Sequence, residues 1–221
     1  MFCRPFTIEV KSLGMVENMK NICSSVVCED KEEKKAPEMQ DSLSEKFLKT
    51  RQILLSGEVN KELADKIVKQ LLLLEADDAK KPVYMFIDSP GGDVDAGFAI
   101  FDMIRFVSCP VILVGMGLIA SAAALILLAV DKDKRLALPN SRYLIHQPMS
   151  GMRGVATDIE IHAKEMAKTK ASINKIIADA TGQELSKVEQ DTDRDYWLSA
   201  DEAISYGLVS RIVSKRSELE K

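Results

Sequence analysis

Val111-Ile-Leu-Val-Gly-Met-Gly-Leu-Ile-Ala-Ser-Ala-Ala-Ala-Leu-Ile-Leu-Leu-Ala-Val130 settles the architecture, because twenty residues without a charge could be a membrane span or two buried elements. Its interior separates the two readings. Val111–Val114 is β-branched and strand-like, Gly115 and Gly117 interrupt it, and Ala120–Ala129 is rich in helix formers. A buried strand, a tight turn and a buried helix follow from that order.

The same alternation extends outward in both directions. Upstream, Arg51-Gln-Ile-Leu-Leu55 predicts a short strand. Asn60 caps a helix with an apolar stripe at Leu63, Ile67, Leu71 and Leu74. Val83–Ile87 is a continuous apolar run, as expected of a strand covered on both faces, and Val94, Phe98, Phe101 and Ile104 mark the next helix. Downstream, short strands are expected at Arg135–Leu138 and Arg142–His146. Thr157 with Glu160 reads as a capping box for a long helix to about Ala180, with Ile159, Ala163, Met166, Ile173 and Ile177 facing inward. Gly182 ends it. Ser199 and Glu202 form a second box, and Gly207 closes that helix before a strand at Val209–Val213. The class is α/β with a mostly parallel sheet.

Composition narrows the function. A net charge of −4 argues against a nucleic-acid groove, which needs clustered Lys and Arg. With 46% hydrophobic residues the chain needs no staple, and Cys3, Cys23, Cys28 and Cys109 have neither metal-site nor CxxC spacing, so they read as free thiols. Residues 1–40 differ from the rest: Cys28-Glu-Asp-Lys-Glu-Glu-Lys-Lys-Ala-Pro37 is charged and aperiodic. We expect an N-terminal extension over 1–40, a propeptide or a gate, and one compact domain over 41–221. No secretory leader and no membrane span are expected.

Two histidines are present. His162 falls among charged residues of the long helix and reads as part of a solvated face. His146 ends the strand Tyr143-Leu-Ile145 before Gln147-Pro148, at a strand end, where open α/β sheets place their sites. Ser121 stands where the buried strand passes into the apolar helix; it reads either as a helix cap or as a nucleophile at a helix N-terminus. Ser89-Pro-Gly-Gly92 is a second strand-to-helix turn whose glycines can expose N–H groups. No phosphate-loop spacing accompanies it. Asp191-Thr-Asp-Arg-Asp195 offers carboxylates to orient a base. Asp195 adjoins the apolar Tyr196-Trp197-Leu198 and is expected to be the buried one, with Asp191 and Asp193 in an exposed acidic turn.

Taken together, Phe86-Ile-Asp-Ser-Pro-Gly-Gly92, Gly117-Leu-Ile-Ala-Ser121, Pro139-Asn-Ser-Arg-Tyr-Leu-Ile-His-Gln-Pro148, Ala156-Thr-Asp-Ile-Glu-Ile161 and Asp191–Asp195 with Leu198-Ser-Ala200 resemble the proteolytic subunits of the Clp protease family, over about residues 41 to 213. The resemblance implies a crotonase-like fold, a repeated βαβ superhelix with a protruding long helix-strand handle. It implies a serine endopeptidase with Ser121 as nucleophile, His146 as base and Asp195 as its orienter, and the amides of Gly92 and Ala122 as oxyanion hole. Asp193 and Arg194 match a pair that couples two rings. Tyr84, Phe86, Phe106 and Met116 match a pocket for a partner ATPase, and Ser150–Ala156 matches a strand that accepts extended peptide.

The implied assembly is two stacked seven-membered rings, of one subunit type or shared with a paralogue, fed with unfolded polypeptide by a Clp-type AAA+ unfoldase in the cytoplasm. No cofactor or metal is implied. This sequence departs from the family pattern in three places. Ala122-Ala123 stands for the usual Met-Gly, Val155 stands for a common Gln, and residues 1–40 lack the usual apolar stretch before Gly-Glu-Arg. Three rival readings compete with it: an acyl-CoA enzyme of the crotonase type, a non-catalytic ring subunit, and a Ser-Lys membrane peptidase.

Overall fold

The structure, a computed structural model, describes residues 45–219. The expected extension over 1–40 and Cys3, Cys23 and Cys28 lie outside the described residues.

A seven-stranded sheet runs in the order β1 (Gln52–Ser56), β2 (Val83–Ser89), β3 (Val111–Ala120), β4 (Arg135–Ala137) and β7 (Arg211–Ile212), with all neighbours parallel. Helices α1 (Lys61–Asp77) and α2 (Val94–Phe106) make the crossovers. Asn60 caps α1 through a bond from the Leu63 N–H, and Ile67, Leu71 and Leu74 are buried on the expected stripe. Alternate residues of β2 point to opposite faces. Val83, Met85 and Ile87 enter the main core with Ile100, Leu113 and Ile126, while Phe86 joins a smaller cluster with Val114, Leu136, Val213 and Leu219 on the other face.

The strand β3 changes partner partway along. Leu113–Gly115 pair with β4, whereas Leu118–Ala120 pair with β5 (Arg142–Ile145). Beyond β5 lies β6 (Tyr196–Ser199), antiparallel to it. That strand is the apolar Tyr196-Trp197-Leu198 stretch, which the sequence offered only as a neighbour for an aspartate. Helix α3 (Ala122–Leu127) leaves the end of β3 and is wholly buried.

The long helix α4 (Ala156–Thr181) ends at Gly182 as expected, but the Thr157–Glu160 capping box does not form. The helix already begins at Ala156, with Val155 at the N-cap. Thr157 is therefore inside the first turn, where its side chain is no longer placed to cap. Ile173 and Ile177 are buried, but Ile159 and Ala163 are exposed and Met166 is half-buried, so the inward stripe holds only for the C-terminal half. After α5 (Leu185–Asp191) and β6, helix α6 (Ala200–Tyr206) has its complete Ser199–Glu202 capping box and ends at Gly207.

Candidate active site

Sheet register places the three sequence-predicted side chains. In the β5–β6 ladder Ile145 pairs with Tyr196, so the next rung outward sets His146 opposite Asp195. There His146 Nδ1–H donates to Asp195 Oδ1 at 2.9 Å. The β3–β5 ladder ends with Ala120 beside Leu144, and the Ser121 N–H donates to the Leu144 carbonyl at 2.9 Å. Nucleophile candidate and base candidate thus leave adjacent strands at the same end of the sheet. Both line one pocket, together with Val94, Ala122, Leu125, Ile145, Pro148, Ile173 and Ile177.

Ser121 occupies the N-cap position of α3, yet its side chain makes no capping bond. Its backbone sits at φ 55°, ψ −122°, a conformation that costs an L-residue roughly 1–3 kcal/mol. A cap serine adopts extended backbone and spends its oxygen on the helix. Ser121 does neither, and its half-exposed hydroxyl faces the pocket. The helix-cap reading of this residue fails.

The turn Ser89–Gly92 packs directly on that backbone. A Cβ on Gly91 would lie 2.5 Å from the Ala120 carbonyl oxygen and 2.7 Å from Ser121 Cβ, so no side chain fits there. Gly92 forms an isolated parallel bridge with Val59: the Val59 N–H donates to the Gly91 carbonyl and the Asp93 N–H to the Val59 carbonyl. In that pattern the Gly92 N–H points away from Val59. At φ 147° it holds a conformation open to glycine, and its Cβ would lie 2.3 Å from the Val59 oxygen. The Ala122 N–H, first in α3, is among the donors a helix leaves without an internal partner.

The Asp191–Asp195 loop corrects two expectations. The Asp195 side chain is 61% exposed, not buried, whereas that of His146 is only 11% exposed. The carboxylate projects past the end of β6, where the sheet stops covering it. Asp191 is the one drawn inward, at 13% exposure, accepting from Lys187 Nζ and from the Tyr206 hydroxyl at 2.9 Å. Burial and that carboxylate together push the Tyr206 phenol well above its ordinary value. Asp193 and Arg194 are exposed beside His146 and Gln147.

Sequence reasoning missed what holds this loop. Thr192, fully buried, places its hydroxyl 2.9 Å from Asn174 Oδ1 and 2.8 Å from the Val188 carbonyl. Its own carbonyl accepts from the Gln147 N–H at 2.6 Å. Lys170 Nζ reaches Gln147 Oε1 at 3.0 Å and Asp193 Oδ1 at 3.3 Å. A polar residue at a helical core position, as Asn174 is, was the available signal. His162 is half-buried and shares a 3.1 Å hydrogen bond with Ser150 Oγ, apart from the site.

Of the four residues matched to a partner pocket, Phe86 lines a hollow with Leu138, Val213 and Leu219, and Tyr84 lines a neighbouring one with Ile112 and Leu136. Met116 is half-buried and Phe106, at the end of α2, is 76% exposed; neither lines those hollows in the single chain. Among the described residues no group of His, Cys, Asp and Glu could hold a metal, and no helix is long and apolar enough to cross a membrane.

The family model described as Clp protease matches residues 33–216. A relative from Treponema pallidum, named ATP-dependent Clp protease proteolytic subunit 2, is 60% identical over 196 residues, 88% of this chain and 98% of its own. The protein of the same name from Treponema denticola is 59% identical over 190 residues, 86% of this chain and 95% of its own. Among solved structures, a mutant of ClpP1 from Listeria monocytogenes superimposes with a TM-score of 0.75 at 47% identity, covering 80% of this chain and 99% of that one.

Proposed function

The chain belongs to the Clp protease family, and on that premise we propose that it is a serine endopeptidase subunit acting through Ser121, His146 and Asp195. Its fold is the crotonase-like one of that family and its function that of a Clp protease proteolytic subunit. The observation that carries the residue assignment is local. A serine at a helix start declines to cap the helix and shares its pocket with a histidine whose other nitrogen is committed to a carboxylate.

That commitment defines the chemistry. With Nδ1–H donating to Asp195, the neutral imidazole carries its lone pair on Nε2, the nitrogen free to take the Ser121 proton. The hydroxyl oxygen then attacks a peptide carbonyl, and the Gly92 and Ala122 amides receive the negative charge on the carbonyl oxygen. His146 returns the proton to the leaving amine, and water repeats the sequence on the acyl-enzyme. The apolar walls at Val94, Leu125, Ile145, Ile173 and Ile177 favour an apolar side chain next to the cleaved bond. Asp195 sits exposed in the single chain, so its hold on the imidazole strengthens when an assembly excludes water from it.

The same proposal includes the assembly. Two stacked seven-membered rings would hide the serines, and the exposed apolar start of α4 supports ring-to-ring contact, with the exposed Asp193 and Arg194 as the coupling pair. An AAA+ unfoldase would supply unfolded polypeptide, docking at the apolar face of Tyr84 and Phe86, with Phe106 and Met116 contributed across a subunit boundary. Residues 41–221 make the peptidase domain, 1–40 an appended segment, and the working compartment is the cytoplasm. A fluorophosphonate probe followed by intact mass and peptide mapping tests the assignment: the adduct belongs on Ser121. A protein that cleaves peptides while its adduct maps elsewhere, or takes no adduct, overturns it.

A further inference from the structure

Both strands that deliver the site break regularity at the same level. In β2 the register against β3 shifts between Ile87 and Ser89, around Asp88. In β3 the break is Gly115-Met116-Gly117, where the partner changes from β4 to β5. One side chain bridges the two breaks: Asp88 Oδ1 accepts the Leu118 N–H at 3.0 Å. The fit is close, because a Cβ on Gly117, at φ 60°, would lie 2.6 Å from that oxygen and 3.0 Å from the carboxyl carbon. The Asp88 carbonyl is also engaged, accepting from the Gly57 N–H at 3.2 Å.

The residues beyond each break give the bond its meaning. Four residues after Asp88 stands Gly92, and three residues after Leu118 stands Ser121. Pairing resumes at Ser89 opposite Ile119, so the oxyanion donor and the nucleophile hang from two strands whose relative advance is set across a break where Asp88 alone faces Met116, Gly117 and Leu118. Bulges next to active sites re-aim the segments after them, and a bulge needs a partner to fix its shape. We infer that Asp88 is a positioning residue for the reaction: its carboxylate locks the two strand breaks together and so sets the spacing between the Gly92 amide and Ser121.

This rests on the peptidase reading above. It predicts loss of transition-state stabilisation rather than of substrate binding, because the pocket walls come from α2, α3, α4 and β5 and not from the breaks. An error of well under 1 Å in the donor position suffices for a tenfold or larger effect. The carboxylate acts as an acceptor, and its charge is not the point. An asparagine Oδ1 at the same place accepts the same N–H.

The experiment compares the full chain with Asp88→Ala, Asp88→Asn and Gly117→Ala on a short apolar fluorogenic peptide. Melting temperature and ring assembly are recorded for each. Asp88→Ala should lower kcat by about ten- to a hundredfold with KM within about twofold, and slow fluorophosphonate labelling in parallel. Asp88→Asn should stay within about threefold of the parent on both parameters. If Asp88→Ala does not fold, Gly117→Ala carries the test. Its methyl pushes the carboxylate off Leu118 with the core residues unchanged, and it should show the same fall in kcat at constant KM. A parental kcat in whichever variant folds overturns the inference, as does a rise in KM that accounts for the loss, or an Asp88→Asn as impaired as Asp88→Ala. A parent that cleaves nothing, or a Ser121→Ala variant that cleaves as the parent does, would instead fault the peptidase reading.

Discussion

Along α4 the buried residues Ile173, Asn174, Ile177 and Ala178 all fall in the C-terminal half, while Val155, Ile159 and Ile161 near its start are 66%, 45% and 56% exposed. Both halves carry apolar side chains at helical spacing. One half packs on α3 and α5 and pins the Asp191–Asp195 loop through Asn174; the other meets nothing among the described residues that would cover it. In the assembly proposed above, that exposed apolar end is the contact surface. A helix can thus serve as core at one end and as interface at the other, and its periodicity alone does not say which.

The loop that the buried half pins carries the largest expected effect. Asp195→Asn keeps the shape of the rung to His146 but permits the wrong imidazole tautomer, and peptide cleavage should fall by about 10⁴-fold, read as kcat. A loss under about tenfold would mean that exposed Asp195 does not govern the base. Next in size, changing both Ile159 and Ile161 to Asp should leave the chain folded but shift sedimentation from the proposed double ring to smaller species, with peptide cleavage falling alongside. Unchanged sedimentation would leave the exposed half of α4 without its proposed role. Smaller again, Thr192→Val removes a donor shared by Asn174 and Val188 and should cost about 1–3 kcal/mol of stability. It should show as a lower melting temperature with a partial loss of kcat, and an unchanged melting temperature would show that the loop does not depend on the buried half.

Much of this was legible in the sequence for identifiable reasons. Asn60, Gly182, Ser199–Glu202 and Gly207 mark helix ends by local chemistry, and the structure uses each as read. Ser121 and His146 come together because the parallel β3 and β5 end side by side, and Asp195 joins them because the antiparallel β6 begins where β5 ends. Thr157–Glu160 has the letters of a cap but sits inside a helix that starts earlier, so spacing without a boundary misled. Asp195 was expected to be buried because apolar neighbours follow it. Those neighbours form β6, a strand too short to announce itself, whose pairing with β5 spans 49 residues at the His146–Asp195 rung. The positive φ of Ser121 left no trace in composition, since nothing but tertiary context holds a non-glycine residue there.

Ser121 must be a nucleophile, rather than a residue of structure, for the proposed chemistry to hold. Turnover of a short fluorogenic peptide by Ser121→Ala, at matched concentration and assembly state, decides between the two. We expect the rate to fall at least about 10³-fold with the assembly state unchanged. Cleavage at the parent rate by the assembled variant would contradict the assignment and leave the strained serine without a function.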